Sequence, residues 1–278
     1  PWPARLLSEF IGTYAIVLTY GLSTVCVFLA AEQEPTTPAP PEALLNATGR
    51  HHGRYPESGQ ASISTVAWAT GAAVLSMVYA LGSASGGHFN PAVTLAVVAS
   101  GRGICSVAEG LAVVVAQCGA ALAAALTYTC VHRGTSRASR TLRVRDLGPR
   151  PGYDWRTVAL CEACFTMAVA LVYLCTLTVK SQRYGKRTSL HSFQFALAVG
   201  LSVAAGGFAL EGISGGTLNP AVTLGHEAGN FFSSGFELRD RLRTTLVYAL
   251  WQAVGGLGAA ILFALIHPLE YKKDPLLA

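Results

Sequence analysis

The stretch Ser85-Gly86-Gly87-His88-Phe89-Asn90-Pro91-Ala92-Val93-Thr94-Leu95 returns 129 residues later as Ser214-Gly215-Gly216-Thr217-Leu218-Asn219-Pro220-Ala221-Val222-Thr223-Leu224, with nine of eleven positions identical. A repeat this long at this distance points to two related halves. In each copy a Gly-rich run leads into Asn-Pro-Ala and then into apolar sequence. Asn is a strong helix N-cap, and Pro is favoured at the first helical position. Each copy therefore reads as a helix start, with Asn90 before Pro91 and Ala92, and Asn219 before Pro220 and Ala221.

The first of these helices is short. Pro91 to Ser100 is ten residues, about 15 Å of helix, or half of a ~30 Å hydrocarbon core. Two such half-helices entering from opposite faces meet tip to tip near the middle. Both tips are N-termini, with unpaired N–H groups and fractional positive charge. Broken helices meeting at the midplane of an inverted repeat are a transport device. Two positive dipole ends facing one pore repel cations and tolerate neutral solutes.

The composition agrees with a membrane setting. Of 278 residues 51% are hydrophobic and only 13% charged, where soluble domains carry about 25% charged residues. The expected spans are 6–31, 61–81, 107–131, 157–179, 193–210 and 244–266, with the half-helices between spans two and three and between five and six. Three spans per half is an odd number, so the halves are inverted relative to each other. The expected organisation is one channel domain over 1–278, with half-repeats 1–131 and 157–278 joined by the loop 132–156. The first apolar run follows Arg5 and is too long for a signal-peptide core. The net charge of +5 suits anionic lipid headgroups, and nothing supports a nucleic-acid role.

Two paired Asn-Pro-Ala boxes in this setting resemble the aquaporin (major intrinsic protein) family over nearly the whole chain. The resemblance implies an all-α membrane protein of six transmembrane helices plus two re-entrant half-helices. It implies a passive channel for water and small neutral solutes, a homotetramer with one pore per subunit, and no cofactor, metal or energy source. It also implies both termini inside, although twelve of the twenty basic residues then fall in outer connections, against the positive-inside tendency. Glu9 in span one and Glu162 in span four are costly acids inside apolar sequence. In the family such acids accept N–H bonds from the loop before each half-helix, and His88 belongs to the same supporting structure.

Asn90 and Asn219 are expected to hold their side-chain oxygens on backbone donors and to turn their NH2 groups toward passing solute. Counting from them by family spacing places the second constriction at Thr70, Gly207, Gly216 and Val222. This departs from the usual water-selective pattern, which has Arg directly after the second box. A Thr, Gly, Gly, Val ring should leave a wide, nearly uncharged opening unless another side chain, such as His88 or Phe208, closes it. Val at this position is similar to plant tonoplast members, whereas glycerol facilitators carry Arg-Asp there. Glycerol, urea and hydrogen peroxide are the expected solutes, and a plasma or vacuolar-type membrane the expected site.

Other features carry less. Asn46-Ala47-Thr48 is an N-glycosylation sequon if its loop is lumenal or extracellular. The seven cysteines read as small buried hydrophobes, because Cys161 and Cys164 lack a second pair at zinc spacing. His226 and Glu227 are expected to face the pore mouth or a neighbouring subunit, and His226 reads as a surface residue rather than a pH-sensitive one. Gly212-Ile213-Ser214-Gly215-Gly216 matches the G-x-S-x-G nucleophile elbow, but the same Ser-Gly-Gly recurs at Ser85, where no enzyme needs a second copy. The competing classes are a solute facilitator with little water specificity and a weak ion channel. Against the latter, no charged ring lines the expected path.

Overall fold

The computed structural model describes residues 2–32, 63–133, 146–178, 193–234 and 238–271. The sequon at Asn46, most of the arginines between 133 and 145, the basic turn 180–187 and Lys272–Lys273 lie outside the described residues. Eight α-helices run in chain order: α1 (Trp2–Glu32), α2 (Ile63–Ser85), α3 (Pro91–Ala99), α4 (Val107–Arg133), α5 (Trp155–Thr178), α6 (Phe193–Leu210), α7 (Pro220–Ser234) and α8 (Leu238–Ile266), followed by a 3₁₀ turn (Pro268–Tyr271). Among the described residues, six of the helices are long and apolar enough to cross a membrane, namely all but α3 and α7.

Local sequence explains the ends. The backbone N–H of Glu109 donates to the Ser106 hydroxyl at 3.2 Å, and the Glu109 carboxyl accepts from the Ser106 N–H at 2.8 Å. This is a reciprocal capping box at the start of α4. Asp154 caps α5 by accepting from the Thr157 N–H at 2.8 Å. The half-helices differ in length. α3 stops at Ala99, but α7 continues to Ser234. α8 also begins six residues before the expected Thr244.

The helices pack in matching sets, with α1 on α2 and α4, α5 on α6 and α8, and α2 on α6. Small residues set the distances, as expected where lipid removes the hydrophobic drive between helices. At the α2–α6 crossing, a Cβ on Gly71 would lie 2.7 Å from the Gly200 carbonyl oxygen and 2.7 Å from the Ala204 Cβ. Leu7, Trp68, Val115, Leu160, Leu246 and Leu265 remain exposed on the outside of the bundle, the face that a bilayer would cover. The cysteines depart from expectation. Among the cysteines whose side chains are described, only Cys105 is buried, while Cys130 and Cys164 lie on the exposed faces of α4 and α5. A free thiol is apolar enough for lipid contact, so burial in protein was not required.

Candidate functional site

The two boxes build matching helix starts. Asn90 is extended at φ −156°, and its Oδ1 accepts from the N–H groups of Ala92 at 2.9 Å and Val93 at 3.4 Å. Asn219 Oδ1 accepts from the Ala221 N–H at 2.9 Å. Pro91 and Pro220 open α3 and α7, where a missing N–H costs nothing. Behind the tips, the Thr94 hydroxyl donates to the Asn90 carbonyl at 3.1 Å, and that of Thr223 to the Asn219 carbonyl at 3.2 Å.

The halves then exchange bonds. Asn90 Nδ2 donates to the Leu218 carbonyl at 3.0 Å, and Asn219 Nδ2 donates to the Phe89 carbonyl at 2.9 Å. Phe89 and Leu218 are the only non-glycine residues with positive φ among those described, at 46° and 54°. That left-handed turn costs about 1–2 kcal/mol per residue. It occurs in the residue whose carbonyl receives the opposite amide. Each carboxamide has two N–H donors, and one of them bridges the halves. The expectation of wholly free NH2 groups is corrected to that extent.

Two completely buried acids hold the loops. Glu9 accepts from the His88 N–H at 2.9 Å and the Phe89 N–H at 2.8 Å. Glu162 accepts from the Leu218 N–H at 3.1 Å, the Ser214 hydroxyl at 2.7 Å and the backbone of Thr217. Gln117 and Gln252, whose surroundings echo each other in sequence, donate to Glu9 at 2.8 Å and Glu162 at 2.9 Å. The sequence reading missed this role for the glutamines, although their echo was its signal. His88 pairs its Nδ1 with the Thr94 hydroxyl at 3.1 Å and stands edge-on to Tyr173. Ser214 is fully buried with its hydroxyl on Glu162, which makes it a loop anchor and not a nucleophile.

A cavity runs between the tips. Its walls include Asn90, Asn219, His88, Thr70, Val203 and Val222. A second, smaller cavity shares Thr70 and Val203 and adds Tyr20, Gly207, Glu211 and Gly216. Of the four residues expected at the constriction, Thr70, Gly207 and Gly216 line the second cavity, while Val222 lines the first, which also includes Thr70. Room for the centres of water molecules is about 20 Å³ in the first and about 10 Å³ in the second, against the ~10–15 Å³ that one water needs.

Backbone and one aromatic side chain border the opening that the Thr, Gly, Gly, Val ring was expected to leave. The glycines admit backbone instead of leaving a void: a Cβ on Gly216 would lie 3.1 Å from the Gly207 Cα, and one on Gly207 would lie 3.0 Å from the Ala67 Cβ. Tyr20 of α1 also occupies the mouth. Phe208 takes no part, since it is 40% exposed and packs against Trp68 on the outside. Arg150, in the connection before α5, reaches the same loop. Its Nη2 would lie 3.5 Å from a Cβ on Gly215, and its N–H donates to the Ile213 carbonyl at 3.0 Å.

His226 and Glu227 are both 2% exposed, so His226 is not the surface residue expected. Both lie within α7, on the face that packs into the bundle. His226 stands edge-on to Tyr20, and Glu227 meets Arg241 at 3.1 Å, which also holds Asp146 at 2.6 Å.

The chain belongs to the major intrinsic protein family, whose family model matches residues 3–190 and 154–275. It is 28% identical over 269 residues to Aquaporin AqpM of Methanothermobacter marburgensis, covering 93% of this chain and 95% of that one. It is 35% identical over 125 residues to Aquaporin Z of Photorhabdus laumondii, covering 45% and 42% of the two chains. The X-ray structure of the aquaglyceroporin from Plasmodium falciparum superimposes with a TM-score of 0.72 at 16% identity, covering 97% of this chain and 99% of that one. The fold is accordingly the aquaporin-like inverted repeat. The protein is a multi-pass integral membrane channel for water or small solutes, and not an enzyme.

Proposed function

We propose that this chain is a passive water channel that also admits small neutral solutes such as hydrogen peroxide, urea and glycerol, while excluding protons. The observation that carries this reading is the reciprocal pair of bonds from Asn90 to Leu218 and from Asn219 to Phe89. These bonds fix both carboxamides at the junction of the half-helices, each with a second N–H for a passing oxygen. A water held by both amides turns its own hydrogens outward and cannot relay a proton. The N-terminal ends of α3 and α7 add a positive potential against any cation. Thr70, Gly207, Gly216 and Val222 act as the selectivity filter, with no charged side chain among them. Residues 1–278 work as one channel domain of two half-repeats, 1–131 and 157–278, linked by 132–156. The assembly is a homotetramer with a pore in each subunit, in a plasma or vacuolar-type membrane.

Stopped-flow swelling of proteoliposomes in water, glycerol and urea gradients tests this directly. Water permeability well above that of empty vesicles, with little proton leak, is expected. Permeability equal to that of empty vesicles would refute the proposal. Val222→Arg should cut solute flux more than water flux; an equal reduction in both would count against the assigned filter.

A further inference from the structure

The geometry points to Tyr20 as the residue that sets the size limit of the mouth lined by Thr70, Gly207 and Gly216, through its ring and not through any of the four filter positions. Resting on the channel reading above, this deepens it by naming what the mouth selects: solutes thin enough to pass one phenol.

Tyr20 comes from α1, outside the four filter positions, yet it lines the same small cavity as Thr70, Gly207 and Gly216. Among the described residues lining that cavity it is the only aromatic one. Val66, Val203 and Glu211 also line it, each with a smaller side chain than tyrosine. The Thr70 hydroxyl turns back to the Val66 carbonyl at 2.7 Å, and Gly207 and Gly216 have no side chain. The ring is therefore the largest object in the opening.

It is also held in place. Tyr20 is 5% exposed, and its hydroxyl points to the Gly215 carbonyl at 3.4 Å, next to Gly216. Its ring stands edge-on to His226, with centroids 5.6 Å apart and planes at 69°. His226 is buried, and the hydroxyl of Tyr128 anchors the adjoining turn of α7 by donating to the Gly225 carbonyl at 2.9 Å. An aromatic side chain backed in this way has no free rotamer to swing into, so the solute must fit the ring. A narrow solute such as hydrogen peroxide or urea passes more easily than the three-carbon polyol glycerol.

The test is the ratio of glycerol to water permeability in proteoliposomes of wild type, Tyr20→Ala and Tyr20→Phe. Tyr20→Ala should raise the ratio about tenfold, as loss of ~1.4 kcal/mol from the glycerol barrier would do. Tyr20→Phe, which keeps the ring, should stay near the wild-type ratio. An unchanged ratio in a water-conducting Tyr20→Ala overturns the assignment. Where Tyr20→Ala fails to assemble, Tyr20→Cys decides. A small polar methanethiosulfonate applied from outside should block water flux through Tyr20→Cys and leave wild type unaffected; flux through Tyr20→Cys that resists the reagent overturns the assignment. Wild-type vesicles that pass no water refute the channel reading itself, a result distinct from a conducting channel indifferent to residue 20.

Discussion

The side-chain amide of Asn219 donates to the carbonyl of Phe89, 130 positions earlier in the chain, at 2.9 Å. The Phe89 backbone is left-handed at φ 46°, and its N–H is tied to Glu9 at 2.8 Å. One end of this peptide is thus anchored on a buried acid and the other on the opposite half-helix. Backbone strain at such a junction persists only because its surroundings over-determine it.

Asn219→Ala removes both the cap of α7 and this bridge. Loss of an Asn cap costs about 0.5–2 kcal/mol, so thermal unfolding in detergent should shift downward. Water flux should fall, and a pH-gradient dye assay should report faster proton leak than in wild type. Unchanged proton leak with intact water flux would show that the amide does not guard the junction.

Glu9→Ala strips the acceptor from the N–H groups of His88 and Phe89 and from the Gln117 amide. Each orphaned buried donor costs about 1–3 kcal/mol. The variant should be far less stable than Glu9→Gln, which keeps one acceptor oxygen. Melting curves of both in detergent, beside their water flux, check the order.

Gly216→Ala places a Cβ at φ 59°, 3.1 Å from the Gly207 Cα. The left-handed backbone costs about 1–2 kcal/mol, and overpacking adds about 1–3 kcal/mol. Lower stability and reduced water flux are expected together. A variant as stable and as permeable as wild type would contradict the close approach of these two backbones.

Asp154 lies just outside the membrane-spanning part of α5. Hydrogen bonds from the Thr157 N–H and hydroxyl hold its carboxyl below the usual carboxylate range. A group whose folded pKa is depressed stabilises fully above its unfolded value, ~3.9, and loses that contribution as pH falls through the folded value. The melting temperature of wild type should therefore drop between pH 6 and pH 3 more than that of Asp154→Asn, which caps without titrating. Equal drops would show that this cap has no part in acid sensitivity.

Much of this was legible in one dimension. Hydropathy alone located the six spans, and α6 matches its expected bounds, Phe193–Leu210. Asn followed by Pro marked both half-helix starts, because a cap bonds only two or three residues ahead. Buried acids stood out as charges where none is cheap. Less visible were features that depend on distant neighbours. Gln117 and Gln252 showed only as an echo until the fold set them on Glu9 and Glu162. His226 looked like a surface residue because a polar side chain on a helix does not show that Tyr20 of another helix will cover it. The close approach of Gly207 and Gly216 was not visible, since a missing side chain does not say which backbone lies beside it.

The sequence by itself therefore determined where helices begin, which segments enter a membrane, and that two halves repeat one design. These are short-range matters of capping and local polarity, settled within a few residues. Tertiary structure alone decided which carbonyl each Asn amide meets, how closely Gly207 and Gly216 approach, and that Tyr20 stands in the mouth. Those contacts join residues from 9 to 195 positions apart, and their distances follow from how helices pack, which no local pattern encodes.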